Sequence, residues 1–223
     1  VAGGGRSVVS TNGGYYQVPM SAGWSRTVTP TRITTADAGT RLLLHMDGSG
    51  TAMVDSSRLN GHSVRVYGNS TQSTNQSKFG AKSLKLDGTN DYVVISRSED
   101  FDFGAGDFTI DFWMYPNTTS LECQELINNA LASSIAPFRL CLYGDQILFM
   151  SADQDGLNGG FWNGVYWNDA EGNWDLHTTA QAQQWQHVAL VRSGNQFLLF
   201  VNGELRDSCV KTHTLGKTDA DIY

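Results

Sequence analysis

Residues 107–116 read DFTIDFWMYP, and this stretch decides the fold. Its side chains alternate with a period of two, which is typical of a β-strand. The residues of its fully apolar face are Phe108, Ile110, Phe112 and Met114. The residues of the opposite face are Thr109, Asp111, Trp113 and Tyr115. Because large aromatics lie on this second face as well, the pattern predicts a strand in the middle of a sheet, within a two-layer β-sandwich.

The composition is that of a globular chain without nucleic-acid or membrane character. The 223 residues carry a formal net charge of -7, whereas phosphate binding requires a basic surface. Hydrophobic residues make up 40% of the chain, but no apolar run is long enough to insert into a membrane. The three cysteines, Cys123, Cys141 and Cys209, lack metal-ligand spacing. A Cys123–Cys141 disulfide between neighbouring strands is one interpretation, and three small buried thiols are the preferred one.

Short alternating or apolar segments bounded by turn residues recur along most of the chain. These predicted strands are residues 41–48, 63–67, 83–87, 92–96, 126–129, 138–142, 146–150, 185–192, 196–201 and 204–209. The DGTND sequence predicts a hairpin between 83–87 and 92–96, and Asn202-Gly203 predicts another. No helix of ordinary length is visible. The chain is therefore predicted to be all-β and antiparallel, a sandwich or jelly roll.

Residues 1–40 differ from the rest because they are rich in Gly, Ser and Thr and have no core-forming period. We predict an extended arm or linker outside the sandwich, which occupies residues 41–223. The aromatics Tyr15, Tyr16 and Trp24 favour docking on another chain over a disordered lead-in. Val1 opens the chain and no signal peptide is recognisable, so we expect a processed chain or a piece of a longer one.

Five motifs occur in a fixed order: LLLHMDG, VDSSRLNGHSV, SKFGAKSLKLDGTNDYVVI, DFDFGAGDFTIDFWMYP and WQHVALVRSGNQFLLFVNGEL. The series, over about residues 41–210, resembles the concanavalin A-like lectin/glucanase superfamily. Within it, the chain looks most like the laminin-G-type jelly rolls common in bacteriophage tail and surface proteins. The resemblance implies two antiparallel sheets packed face to face, one of them concave. Such domains usually end with two further strands, so residues 41–223 are expected to lack the final strands.

The resemblance also implies a function and partners. It points to a non-catalytic structural or adhesion protein of the virion, with a lectin-like domain that attaches within the particle and contacts host-surface glycan. Other virion subunits, bound through residues 1–40, are the expected partners, and a homo-oligomer is expected. The alternatives are a secreted, extracellular carbohydrate-binding adhesion module and, less favoured, a glycan hydrolase.

Catalytic motifs are missing from the sequence. Laminarinase-type members of the superfamily carry E-x-D-x-x-E on one strand face, since retaining hydrolysis needs an acid and a nucleophile about 5 Å apart. The central strand offers only Asp111, and Asp169, Glu171 and Asp175 lie in an irregular stretch. The five histidines are scattered and no G-x-S-x-G elbow occurs. We therefore predict that the protein is not an enzyme.

Residues 151–179, SADQDGLNGGFWNGVYWNDAEGNWDLHTT, form the strongest candidate for a binding site. Aromatic rings stack on the apolar faces of sugars, and Asn and Asp side chains bond sugar hydroxyls. The candidate glycan ligands are Trp162, Tyr166, Trp167, Asn168, Asp169 and Trp174. The alternative, given the greater weight, is that these aromatics pack within the chain or against another subunit.

A Ca²⁺ site is a further candidate, because acidic and Gly-rich turns offer oxygen ligands to hard cations. The candidate ligands are Asp153 and Asp155 in DQDG, and Asp91 in the DGTND turn. Asp and Asn in tight turns more often cap backbone amides, so capping is the preferred interpretation of Asp91. No other cofactor is expected.

Overall fold

The computed structural model describes residues 38–57, 61–119, 124–129, 137–151, 160–162, 165–167, 175–217 and 219–223. Within these residues the chain is all-β and antiparallel, and its only helical element is a single 3-10 turn at Glu99–Phe101. None of the described segments forms a helix that is long and apolar enough to cross a membrane. Residues 1–37, which carry most of the predicted arm, lie outside the described residues.

The strands are β1 (Val64–Tyr67), β2 (Thr71–Ser73), β3 (Ser83–Lys85), β4 (Tyr92–Ile95), β5 (Phe108–Met114), β6 (Gln124–Asn128), β7 (Phe138–Tyr143), β8 (Gln146–Ser151), β9 (Gly160–Trp162), β10 (Val165–Trp167), β11 (Leu176–Thr179), β12 (Gln186–Ser193), β13 (Gln196–Val201) and β14 (Glu204–Val210). Two four-stranded sheets dominate, in the orders β11-β8-β7-β6 and β14-β13-β12-β5. Three two-stranded pairs, β1-β4, β2-β3 and β9-β10, complete the described strands.

The core lies between the two four-stranded sheets. One buried cluster joins Leu140 and Phe149 of the first sheet to Leu190 and Phe197 of the second. The rings of Phe149 and Phe197 stack across the interface with centroids 5.6 Å apart. Side chains from two sheets that interdigitate in this way bury apolar surface on both, and this burial stabilises a β-sandwich. The prediction of an all-β antiparallel jelly roll is confirmed.

β5 packs as its period predicts, but its place in the sheet differs. The apolar face of DFTIDFWMYP belongs to the core, where Phe108 and Met114 are buried and Ile110 and Phe112 pack against them. The sequence pattern predicted a strand in the middle of a sheet, whereas among the described strands β5 lies at one end of the four-strand order. β12 is an inner strand instead, since the whole of its first half is buried on both faces. On the outer face of β5, the ring of Trp113 contacts Lys78 and Phe79.

The predicted hairpin between residues 83–87 and 92–96 was also wrong. β4 pairs with β1, whereas β3 pairs with β2. The DGTND turn closes around the carboxylate of Asp91, which accepts hydrogen bonds from the backbone N–H groups of Asn69 and Asp87. These bonds tie the turn both to the end of β1, through Asn69, and to the residues after β3, through Asp87. Residues 41–48 form no strand either, and only an isolated bridge between Leu44 and Asp55 remains of that prediction.

The other sequence-predicted hairpins are confirmed. β7 and β8 pair around Gly144-Asp145, β12 and β13 pair around the turn at 194–195, and β13 and β14 pair around Asn202-Gly203. Asn202 has a φ of 53° and Gly203 a φ of 79°, the left-handed conformation that two-residue hairpin turns require. Cys141 lies buried on β7, whereas Cys123 lies outside the described residues.

The last two residues connect elements that are distant in sequence. Ile222 exchanges two backbone hydrogen bonds with Ile95 of β4, and Tyr223 exchanges two with Asn128 of β6. Ile222–Tyr223 therefore lies between β4 and β6 and extends the first sheet towards β1. The boundary at residue 41 and the absence of the family's final strands stay predictions.

Candidate functional site

The candidate glycan residues fall in a segment that is described only in part. Trp162 lies on β9, and Tyr166 and Trp167 lie on β10, in a short antiparallel hairpin that pairs Val165 with Trp162. The sequence showed no period there because each strand has only three residues. The candidates that lie outside the described residues are Asp153, Asp155, Asn168, Asp169 and Trp174. The backbone therefore places three of the predicted residues, Trp162, Tyr166 and Trp167, on one hairpin.

Both flanks of this segment are held by a buried polar network. Ser151 is the first residue of the segment, and its backbone N–H donates to Oδ2 of Asp175, near the other end of the segment, over 2.7 Å. Nζ of Lys211 lies 2.9 Å from Oδ1 of Asp175. The hydroxyl of Ser151 also contacts Asp175 and lies 3.0 Å from Nε2 of His213. Asp175 is thus a structural acceptor at the base of the segment, a role that the sequence did not indicate.

The charged residues of this network, Asp175 and Lys211, also act on Cys209, which lies on β14. Burial, together with the charge of Asp175, raises the pKa of the Cys209 thiol to about 11. Nucleophilic cysteines need a lowered pKa, because the thiolate is the reactive species. The raised pKa argues against Cys209 as a nucleophile.

Asp91 is engaged in the turn that precedes β4. Its two carboxylate oxygens accept from the backbone N–H groups of Asn69, at 2.7 Å, and Asp87, at 2.8 Å. The carboxylate of Asp87 accepts from the side-chain amide of Asn69 and the backbone N–H of Thr89, and these bonds lower its pKa. Within the described residues, no three His, Cys, Asp or Glu side chains come together in a way that could hold a metal ion. The preferred capping interpretation of Asp91 agrees with this geometry.

The outer face of β5 and β12 carries the most distinctive set of side chains among the described residues. Asp111 is opposite Ala189 and Trp113 is opposite His187 in the β5–β12 register. Oδ2 of Asp111 lies 3.0 Å from Nε2 of His187. The rings of Trp113 and His187 pack with centroids 5.3 Å apart. Sequence reasoning placed Asp111 and Trp113 on this face and took His187 for a structural residue of its strand, but it could not place His187 next to Asp111, because pairing between distant strands has no local signal.

The same face lacks the geometry for glycoside hydrolysis. Within β5, β12 and β13, Asp111 is the only carboxylate. Hydrolysis with retention requires a second carboxylate about 5 Å away. The neighbour that Asp111 has instead is the imidazole of His187.

Comparison with known proteins identifies the class. The family profile of the laminin G 3 type, within the concanavalin A-like lectin/glucanases superfamily, matches residues 87–223. The chain belongs to this superfamily. No curated protein sequence matches the chain.

Solved structures agree at the level of the fold. The botulinum neurotoxin serotype D binding domain superposes with a TM-score of 0.54 at 18% identity, over 77% of this chain and 40% of that chain. The receptor binding domain of botulinum neurotoxin D gives 0.55 at 18%, over 77% and 41%. The binding domain of botulinum neurotoxin DC in complex with rat synaptotagmin II gives 0.54 at 16%, over 77% and 40%. This chain spans about two fifths of the length of these neighbours, and at such identity the likeness concerns the jelly-roll fold alone.

Proposed function

We propose that this protein is a non-catalytic, lectin-like adhesion protein of a bacteriophage virion, which attaches within the particle and contacts glycan on the host surface. The observation that carries the non-catalytic part is the outer face of β5, where Asp111 faces His187 at 3.0 Å in place of a second carboxylate. A jelly roll without paired carboxylates is suited to recognition, because hydrolysis needs both groups. The virion assignment is supported by the ordered motifs that resemble phage surface domains.

The structural neighbours support the adhesion part of the proposal. All those named above are binding domains by their titles, and a further one is a neurotoxin DC domain in complex with SialylT. The same fold serves recognition in those proteins, and recognition is preferred here by this fold-level analogy alone. A secreted, extracellular adhesion module with the same lectin-like domain is the second candidate function, and it is supported by the same neighbours.

The proposal includes specific partners. Residues 1–40 dock on other virion subunits, and the assembly is a homo-oligomer, as is common for particle proteins. Host glycan stacks on Trp162, Tyr166, Trp167 and Trp174 and bonds to Asn168 and Asp169. Ca²⁺, if the protein uses it, is held by Asp153 and Asp155, with Asp91 as the less favoured ligand because both its oxygens already accept backbone hydrogen bonds.

Three experiments test the proposal. Immunogold electron microscopy of purified phage particles, with antibodies raised against the chain, should label the particle, whereas label only in the culture supernatant would favour the secreted module.

A bacterial glycan array, with and without EDTA, should show binding and reveal any need for Ca²⁺. Incubation with β-glucans and bacterial surface polysaccharides should release no reducing ends, and release that disappears in Asp111→Asn would overturn the non-catalytic assignment.

A further inference from the structure

β1 ends the sheet to which β4 belongs. β4 pairs with β1 on one side, and no other strand in the described part of the chain pairs with it on the other side. Three residues at this edge, Ser63, Arg65 and Tyr67, are exposed. An open strand edge offers its backbone hydrogen-bonding groups to an incoming extended chain.

The hydrogen bonds of β4 show which backbone groups of β1 point outward. Ile95 is the cross-strand partner of Val64, but it exchanges both of its backbone hydrogen bonds with Ile222 on its other side. Hydrogen-bonded and non-hydrogen-bonded pairs alternate along an antiparallel ladder, so the N–H and C=O groups of Val64 and Val66 point away from β4. Among the described residues, these outward groups have no hydrogen-bond partner.

The charges along this edge are ordered. Arg65 lies in the middle of β1, and its guanidinium donates one hydrogen bond of 3.4 Å to Oγ of Ser96 and forms no ion pair with the described residues. Asp91 and Asp87 lie at the C-terminal end of β1, where they accept from the backbone N–H and the side-chain amide of Asn69. The edge is therefore positive in its middle and negative at its C-terminal end.

Arg65 disfavours a second copy of β1 as the occupant of the edge. An antiparallel pairing that uses all the outward groups would place Val64 opposite Val66 of the second copy and Arg65 opposite Arg65 of the second copy. The two arginines would form a non-hydrogen-bonded pair, in which the Cα atoms are only about 4.5 Å apart. Like charges directly opposite each other destabilise a sheet, whereas a carboxylate opposite Arg65 stabilises it. The edge therefore suits a different chain that carries an acidic residue.

We propose that β1 binds an extended segment of another protein as an added antiparallel strand, and that this segment carries a basic, an aromatic and an acidic residue at every second position. The acidic residue lies opposite Arg65. The aromatic residue lies opposite Tyr67 and extends the stack that Tyr67 forms with Tyr92, whose rings have centroids 4.7 Å apart. The basic residue approaches Asp87 and Asp91. The partner is a protein, so this inference goes beyond the proposed function and does not depend on glycan contact.

The test uses the full chain and synthetic peptides in isothermal titration calorimetry. The peptide acetyl-KTYVEVT-amide should bind, and the charge-swapped acetyl-ETYVKVT-amide should bind about tenfold more weakly, because it sets like charges against the edge at two positions. The first peptide N-methylated at both valines should not bind, since it lacks the N–H donors for the outward carbonyls.

Hydrogen exchange measured by NMR locates the contact. The first peptide should slow exchange at the amides of Val64 and Val66, which point outward. The amides of Arg65 and Tyr67 face β4 in the same ladder and provide the internal control.

Three variants test the charge and the backbone of the edge. Arg65→Glu should reverse the preference, so that the charge-swapped peptide binds more tightly. Val66→Pro should abolish binding, because it removes an outward N–H that the pairing with β4 does not use. Arg206→Glu changes an exposed charge on β14 and should leave the affinity unchanged. Circular dichroism confirms that each variant is folded before its affinity is interpreted.

The proposal is overturned by any of three results. If the first two peptides bind equally, or if Arg65→Glu keeps the original preference, charge complementarity does not select the partner. If the first peptide does not bind the wild type, Arg65 only protects the edge against association. If analytical ultracentrifugation shows a wild-type dimer that Val66→Pro dissociates, the occupant of the edge is a second copy of the chain.

Discussion

Nδ1 of His62 lies 2.7 Å from Oδ2 of Asp55, and both side chains are almost completely buried. Nε2 of the same imidazole lies 3.3 Å from Oδ2 of Asp100, and its ring packs on Phe101 with centroids 4.8 Å apart. His62 therefore connects the segment around Asp55 to the 3-10 turn at Glu99–Phe101. This contact holds the residues before β1 against the sandwich.

Asp55 is the centre of that connection, and its removal should be costly. Its carboxylate accepts from the backbone N–H groups of Leu43, Ser57 and His62, as well as from the Ser57 hydroxyl and the His62 ring. Asp55→Ala leaves these donors without an acceptor, and we expect a loss of about 2–4 kcal/mol in the free energy of unfolding. Urea denaturation measures it. Asp145→Ala, in the exposed β7–β8 turn, is the control and should change stability by less than about 0.5 kcal/mol.

The same carboxylate predicts a loss of stability in acid. Burial raises the pKa of Asp55, but hydrogen bonds from Ser57, Leu43 and His62 outweigh burial and lower it below the ordinary value of 3.8. A group with a lowered folded-state pKa stabilises the fold above its unfolded-state pKa and loses that contribution as the pH falls through the folded value. The melting temperature, measured from about pH 6 to about pH 2, should fall once the pH drops below about 3.8. The fall should be shallower in Asp55→Asn, and an unchanged profile in that variant would contradict the assignment.

Arg192 should be irreplaceable by lysine. Its buried guanidinium donates to the carbonyl oxygens of Gly194 at 2.9 Å, Gly104 at 2.6 Å and His213 at 3.1 Å. Burial lowers its pKa, but three carbonyl acceptors in different directions require the planar fork that only arginine provides. Arg192→Lys should cost about 2–3 kcal/mol of unfolding free energy in urea. Arg206→Lys, at an exposed ion pair, should cost almost nothing, and equal losses in both variants would refute the role of Arg192.

Gly68 and Gly88 offer a matched pair for the turn around Asp91. Both have a positive φ, 72° and 85°, so alanine is strained at either position. A Cβ at Gly68 would meet Oδ1 of Asp91 at 2.3 Å, whereas a Cβ at Gly88 meets nothing within 4 Å. Gly88→Ala should cost about 1 kcal/mol for the backbone strain, and Gly68→Ala clearly more. Similar melting temperatures for the two variants would show that neither the Asp91 carboxylate nor the backbone oxygen of Asn90, which such a Cβ would meet at 2.5 Å, is held against Gly68.

Cys209 should resist alkylation in the folded protein. Its raised pKa of about 11 leaves almost no thiolate at neutral pH. Mass spectrometry after iodoacetamide treatment at about pH 7.5 should find Cys209 unmodified in the native chain and modified in guanidinium. Rapid labelling of the native chain would mean that the Cys209 thiol is more exposed, and its pKa less raised, than its burial and the charge of Asp175 indicate.

The sequence by itself determined the class of the fold and which face of residues 107–116 packs into the core. The alternation in DFTIDFWMYP places Phe108 and Met114 in the core, and Asn202-Gly203 specifies a hairpin, because side-chain period and turn conformation are local properties. The ordered motifs were sufficient to indicate the superfamily. Tertiary structure alone decided which strands pair, since a strand carries no local record of its neighbour. It thereby placed β4 beside β1, β5 at one end of the order of the described strands, and His187 next to Asp111, residues that are 76 positions apart in sequence.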